Sequence, residues 1–226
     1  VGRVLSGQFG PDFTHGATGS GGIVLNNEER NRFGRSYMPT IMWRHDGPTW
    51  RLEAGAALSQ HSDYLRDLAK GAFREVTALR TGVTVAFDDI SPLRPGRIAV
   101  TDPGTGAPID PHVLSTYALY SGWTFPLSIY DLQRSIQASA RREFHGRVPL
   151  ALKAGVDFRH ARRYARGANV TYPWLGPDGR RTLNPASDDT AAPFLHAGFS
   201  QREFGFGFPR TEGLSPREIW AYAQAN

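Results

Sequence analysis

Two stretches of this chain alternate apolar and polar residues so strictly that each dictates one hairpin with two unlike faces. Residues 35–44 run to His45-Asp46-Gly47-Pro48 and return over 49–61. Folded about that turn, Trp43 faces Trp50, Ile41 faces Leu52, Pro39 faces Ala54 and Tyr37 faces Ala56, with Leu58 beyond. That face is wholly apolar. The other carries Arg44, Thr40, Ser36, Arg51, Glu53 and Ser59. The second stretch, 131–160, turns at His145-Gly146-Arg147, so that Phe144 faces Val148, Ala140 faces Leu152, Ala138 faces Ala154 and Ile136 faces Val156. Leu150 and Phe158 share its apolar side. Gln133, Ser135, Gln137, Ser139, Arg141 and Glu143 stand against Lys153, Asp157 and Arg159 on the other. Alternation over about ten residues, with aromatic side chains at strand ends, is the pattern of strands that cross an outer membrane. The expectation is an all-β chain, part of a transmembrane antiparallel barrel. Tyr37, Ile41, Trp43, Trp50, Leu52, Ile136, Leu150, Leu152, Val156 and Phe158 would face lipid, and Arg51, Glu53, Gln137, Arg141, Lys153 and Asp157 the lumen. Arginine in place of Leu152, expected near mid-bilayer, would cost ~2–4 kcal/mol.

Composition agrees with strands rather than helices. The 226 residues include 25 Gly and 16 Pro, and no run of apolar residues is long enough for a transmembrane helix. That does not count against a barrel, whose strands are half polar. There is no cysteine, which removes disulfides, thiolate zinc sites and thiol catalysis. The formal charge is +5, but the arginines are interspersed with carboxylates, whereas nucleic-acid binding needs a concentrated basic face. The densest run, Arg159-His160-Ala161-Arg162-Arg163, lies just past a strand end and reads as a solvated rim. The chain starts at Val1 and ends at Asn226 inside a predicted helix, as expected of an internal piece of a longer protein.

Along the chain, 1–34 reads as Gly-rich loop. Residues 61–130 form a long connection, with strand composition over 73–87 and turns over 88–110. Residues 161–226 are again a long loop, punctuated by Pro173, Gly176-Pro177-Asp178-Gly179 and Pro185, with one short helix near the end. Ser215-Pro216-Arg217-Glu218 supplies an N-cap, a proline at the first helical position and a glutamate at the third. Ile219, Trp220, Tyr222 and Ala223 would form its buried side. Tight turns at one end of the strands and very long connections at the other match the short periplasmic turns and long extracellular loops of outer-membrane barrels.

No catalytic, metal or cofactor constellation is legible, and the chain is not read as an enzyme. The Gly16–Gly22 stretch lacks the Gly-Lys-Ser/Thr ending of a phosphate loop. Asp102 and Asp110, Asp88-Asp89 and Asp188-Asp189 read as turn residues, with a loop-stabilising calcium ion as the alternative. His15, His45, His61, His112, His145, His160 and His196 show no metal-ligand spacing on a helix. Asn169-Val170-Thr171 matches a glycosylation sequon that is idle in a bacterial outer-membrane protein.

Several segments carry a family resemblance. The stretch from Arg141-Arg142-Glu143-Phe144-His145-Gly146-Arg147 through Val156-Asp157-Phe158-Arg159 resembles a barrel hairpin of TonB-dependent outer-membrane receptors, in the group typical of Verrucomicrobia-type bacteria. Tyr172-Pro173-Trp174-Leu175-Gly176-Pro177-Asp178-Gly179 and the helix with Trp220 resemble that group's loops. Thr81-Gly82-Val83-Thr84-Val85-Ala86-Phe87-Asp88-Asp89-Ile90 with Arg94-Pro95-Gly96-Arg97-Ile98 adds to the likeness. The resemblance implies a barrel of about 22 strands, plugged by an N-terminal domain. It further implies uptake of siderophores, cobalamin or glycans, driven through the TonB complex. Its partners would be outer-membrane lipid, lipopolysaccharide and a small-molecule or glycan ligand. The plug, the TonB-contacting segment and an aromatic-ended final strand are not in these residues, so energy coupling would belong to the parent protein.

A different class stays open. A secreted soluble β-sandwich that binds carbohydrate would bury the Trp43/Trp50 face under a second sheet and stack sugars on Trp123, Trp174 and Tyr172.

Overall fold

A computed structural model describes residues 2–226, so Val1, the first residue of the expected N-terminal loop, lies outside them. The chain is mostly β. In order come β1 (Val4–Phe9), β2 (Thr14–Gly16), β3 (Gly21–Glu28), β4 (Arg32–Tyr37), β5 (Thr40–Asp46), β6 (Trp50–Leu65), β7 (Glu75–Ile90), β8 (Pro95–Thr101), β9 (Ala118–Thr124), β10 (Leu127–Phe144), β11 (Leu150–Gly167) and β12 (Val170–Pro173). Two α-helices follow among the described residues, α1 (Ala197–Ser200) and α2 (Pro216–Ala225). The chain divides into two units. Unit 1 comprises Val1–Arg30, Asp67–Phe125 and Asn169–Asn226, and unit 2 comprises Asn31–Arg66 and Pro126–Ala168.

Unit 2 is the sheet of the two hairpins, ordered β11-β10-β6, with β4 and β5 both paired to the far side of β6. β4 and β5 hold one register: Tyr37 opposes Gln60 and Thr40 opposes Ala57. They are one edge strand interrupted at Pro39, which has no N–H to give the ladder but whose carbonyl still accepts from the Leu58 N–H at 3.0 Å. The hairpins form as expected, with corrected registers. Trp43 opposes Ala54 rather than Trp50, because Gly47 closes the turn by donating to the Trp50 carbonyl at 2.8 Å. Phe144 opposes Leu150 rather than Val148, leaving residues 145–149 as the turn. Both offsets are even, so every side chain keeps its expected face. The strands are also longer than expected, β6 reaching Leu65 and β11 reaching Gly167.

The expectations of loop over 1–34 and of a long connection over 61–130 are corrected by strands, most of them in unit 1. In 161–226 the loop reading gives way only to the end of β11 and to β12, and from residue 174 to α2 the chain forms no further strand, only short helical turns. Unit 1 has its own core. Its spine is β7, whose first half pairs with β3 and β9 and whose second half pairs with β8 and β2. Gly82, at φ +74°, marks the change. Gly21 opposes Val83 and Gly22 opposes Thr81, so Gly82 is an extra residue, a bulge that requires the left-handed conformation glycine adopts freely. The bulge resets the alternation. Val76 and Ala78 are buried before it, and Val83 and Val85 after it. The expected turns over 88–110 are interrupted by β8, which hairpins back on β7 through Ser91–Arg94, with the Ser91 N–H donating to the Arg94 carbonyl at 3.1 Å. From 102 to 110 the turn reading holds: Asp102 Oδ1 accepts from the N–H groups of Gly104 and Thr105, each at 3.0 Å.

The main core gathers Phe73, Val76, Leu114, Tyr117, Leu119, Trp174, Phe194, Leu214 and Ile219. α2 starts where expected. Its Ser215 Oγ accepts from the Glu218 N–H at 3.2 Å, Ile219 is buried, and Trp220 and Tyr222 pack against the core. Ala223, expected on the buried side, is exposed. Tyr117 is 3% exposed and its hydroxyl donates to the Pro111 carbonyl at 2.7 Å. Burial first, and Asp110 second, push its phenol up to about 12. The folded form therefore holds this proton more tightly than the unfolded chain does. The contribution is fully present below the unfolded value of about 10 and is lost as pH rises towards 12, about 3 kcal/mol in all. The stability lost between pH 9 and pH 12, read by denaturant titration, should be larger in wild type than in Tyr117→Phe by about 2–3 kcal/mol. Parallel pH profiles would count against it.

Candidate functional site

Unit 2 is two-faced to a degree that decides how it can be used. Cross-strand partners share a face, so the register assigns every side chain. One face carries Tyr37, Pro39, Ile41, Trp43, Leu52, Ala54, Ala56, Leu58, Ile136, Ala138, Ala140, Leu150, Leu152, Ala154, Val156 and Phe158 in one contiguous band. Trp50 adjoins it at the turn. None of these is fully buried; Leu52 and Leu58 are half-buried, and most of the other large ones are well exposed, such as Leu152 58%, Val156 69% and Phe158 64%. All the residues expected to face lipid lie here together.

The opposite face holds every residue expected in a lumen: Arg51, Glu53, Gln137, Arg141, Lys153 and Asp157. Arg141 stands opposite both Arg51 and Lys153, forming a row of three cations across three strands. Glu143 neutralises part of that row, at 3.1 Å from Arg141 and 3.6 Å from Arg51. Glu53 accepts from Ser139, and Asp157 takes both donors of Arg159 at 2.9 and 3.1 Å. Further along, Asp63 is buried under Arg32, and Ser36 meets His61 at 2.8 Å. A groove of about 330 Å³ runs over Glu53, Gln137, Lys153 and Asp157. Met42, 68% exposed, is an apolar exception on this face.

Charge sorting is the feature that strand-by-strand reading missed. Asp46, Glu53, Asp63, Asp131, Glu143 and Asp157 are all the carboxylates of unit 2, and all lie on the polar face. The apolar face has none. Its charges are cations at the margins of the band. Beside the turns, Arg142 lies over the rings of Trp50 at 5.3 Å and Phe144 at 4.8 Å. At the other end, Arg134 opposes His160, with Arg162 and Arg166 further along β11 and Arg35 on β4. Listing charges by odd and even position would have revealed this in the sequence.

Both outer strands of the sheet, β4/β5 and β11, present unpaired edges among the described residues. The chain enters and leaves unit 2 only at the strand ends opposite its turns.

The residues proposed for sugar stacking do not form a platform. Trp174 is 9% exposed and packs edge-on against Phe194 at 5.6 Å. Tyr172 leans on Phe73, and Arg74 covers Trp123 at 4.9 Å. The histidines serve local contacts: His15 with Asp88 at 2.7 Å, His112 with Thr211 at 2.9 Å, and His196 accepting from the Phe199 N–H at 3.1 Å. The His15 contact, with Arg97 nearby, holds the Asp88 carboxyl below its usual range.

No family model and no curated protein matches this chain. Among solved structures, the membrane pore complex of pneumolysin is similar at 10% identity and a TM-score of 0.22, over 70% of this chain and 34% of that one. The chain thus spans about a third of that protein's length, and a likeness this slight carries no fold assignment.

Proposed function

We propose that unit 2 is a stretch of outer-membrane barrel wall, within a TonB-dependent transporter that takes up siderophore, cobalamin or glycan-type ligands. The observation that carries the reading is the continuous, exposed, carboxylate-free apolar band across four strands. Its height fits a bilayer: roughly nine residues per strand at ~3.3 Å, tilted ~40°, give ~23 Å against the ~25 Å apolar belt of such barrels. A soluble sheet would cover this band, and nothing in its exposure suggests a cover. Trp50, Phe144 and Arg142 suit the periplasmic interface, where aromatic rings and long basic side chains gather. Arg134, His160 and Arg162 suit lipopolysaccharide phosphates at the outer interface. The polar face lines the lumen and meets the plug of the parent protein, and unit 1 stands outside the cell and captures ligand. The free edges call for further strands, because an open membrane sheet leaves backbone groups unsatisfied.

These 226 residues hold no cysteine, so each introduced thiol in them is unique. Single cysteines along 150–158 carry a polarity-sensitive dye in lipid vesicles. Even positions should report hydrocarbon and odd positions water. In intact cells carrying the parent protein, a cysteine at Ala107 should label from outside and one at Gly146 should not. Uniform dye spectra would sink the membrane reading, and labelling at Gly146 alone would reverse the topology.

A further inference from the structure

Asp189, in the loop between β12 and α1, is fully buried. Its Oδ2 accepts from the Thr182 N–H at 2.6 Å and the Thr182 hydroxyl at 2.9 Å. Its Oδ1 is shut off from solvent and has no hydrogen-bond partner. A buried oxygen left without a donor or a cation costs stability, so the site calls for something to meet it. No arginine, lysine or histidine among the described residues pairs with Asp189 or with its neighbour Asp188.

The two carboxylates converge. A methyl group on Gly176 would lie 2.8 Å from Asp189 Oδ1 and 2.9 Å from Asp188 Oδ2. The two oxygens are therefore no more than 2.8 + 2.9 = 5.7 Å apart, beside a residue with no side chain to occupy the space. The surrounding loop is drawn in tightly. The Gly179 N–H donates to the Gly176 carbonyl at 2.8 Å, and the Asp178 N–H donates to Asp188 Oδ2 at 3.1 Å.

We propose that Asp188 and Asp189 hold a calcium ion beside Gly176. Calcium accepts carboxylate, main-chain carbonyl and water oxygens in flexible geometry. Main-chain oxygens and water would complete the shell, since no cluster of three or more acidic, histidine or cysteine side chains occurs among the described residues. So few carboxylates place the site in the weak class typical of extracellular modules, with Kd on the order of 10⁻⁴–10⁻³ M. The ion would fasten the loop to the core. The Asp189 carbonyl accepts from the Leu119 N–H at 2.8 Å, and Thr190 bridges to Ala118 of β9. The proposal does not depend on the membrane reading.

The test uses the full 226-residue chain, with terbium as a luminescent stand-in excited through tryptophan and calcium as competitor. Terbium emission should saturate, be displaced by millimolar calcium, and calcium should raise the melting temperature by mass action. Asp188→Asn, at an exposed position, should fold normally and weaken calcium at least about tenfold. Asp189→Asn should abolish the calcium-dependent rise in melting temperature. Should Asp189→Asn fail to fold, Asp188→Asn decides. No saturable binding below about 10 mM calcium, or wild-type affinity in Asp188→Asn, would overturn the proposal.

Discussion

Arginine placed at Ala154 is expected to cost ~2–4 kcal/mol of stability in a lipid bilayer, while arginine at Ser139, on the adjacent strand, changes it by less than about 1 kcal/mol. The register sets the depth. Trp43, Ala54, Ala138 and Val156 form the central row of the apolar band, and Ala154 lies in the row next to it, opposite Ala140. A guanidinium there meets hydrocarbon on the outward side. Leu152, expected at mid-bilayer from the sequence, stands opposite Arg142 instead, two residues nearer the turn. A charge at that depth can snorkel to the interface, so the penalty should fall to about 1 kcal/mol or less. Ser139 points the other way, beside Glu53, where an added cation meets a carboxylate. Urea titration of the chain refolded into vesicles reads all three variants. Equal losses at Ala154 and Ser139 would exclude a sheet with lipid on one side only.

Unit 2 was legible because its information is local and periodic. Misplacing the partner of Trp43 or Phe144 by an even number of residues leaves every face intact, so the sides were right where the registers were not. The start of α2 was legible for a similar reason, since Ser215, Pro216 and Glu218 are close neighbours in sequence. Unit 1 hid from the same reasoning. β3 opens with glycines that read as loop, yet Gly21 is there because β7 passes close by: an added methyl would fall 2.7 Å from the Val83 carbonyl oxygen. β7 loses its single period at Gly82. Its core draws side chains from segments separated by whole hairpins, such as Val76 with Leu214, and no local pattern records such pairings. The Asp188-Asp189 pair read as a turn, because burial of one carboxylate and exposure of the other cannot be told from adjacency.

Phe73→Ala is expected to cost ~3–5 kcal/mol of unit 1 stability. The residue is 3% exposed, and its ring touches α2, β12 and β9. It meets the Trp220 ring of α2 edge-on at 5.1 Å and the Tyr172 ring of β12 at 5.5 Å. It also covers Gly122 of β9, where an added methyl would lie 2.8 Å from the ring carbons. Glycine is needed at that point for the ring to lie flat on the sheet. Gly122→Ala should therefore cost ~1–3 kcal/mol through overpacking, and the two substitutions should not add, because removing the ring makes room for the methyl. In the Phe73→Ala background, Gly122→Ala should be close to neutral. α2 should loosen along with β12, since the ring packs against both and adds to the Phe73 N–H bond to the Pro216 carbonyl. Chemical denaturation of the four chains of this cycle measures the coupling, and hydrogen exchange in α2 measures the loosening. Strict additivity, or a Phe73→Ala loss below about 1 kcal/mol, would mean that α2 and β12 are held to unit 1 by other contacts.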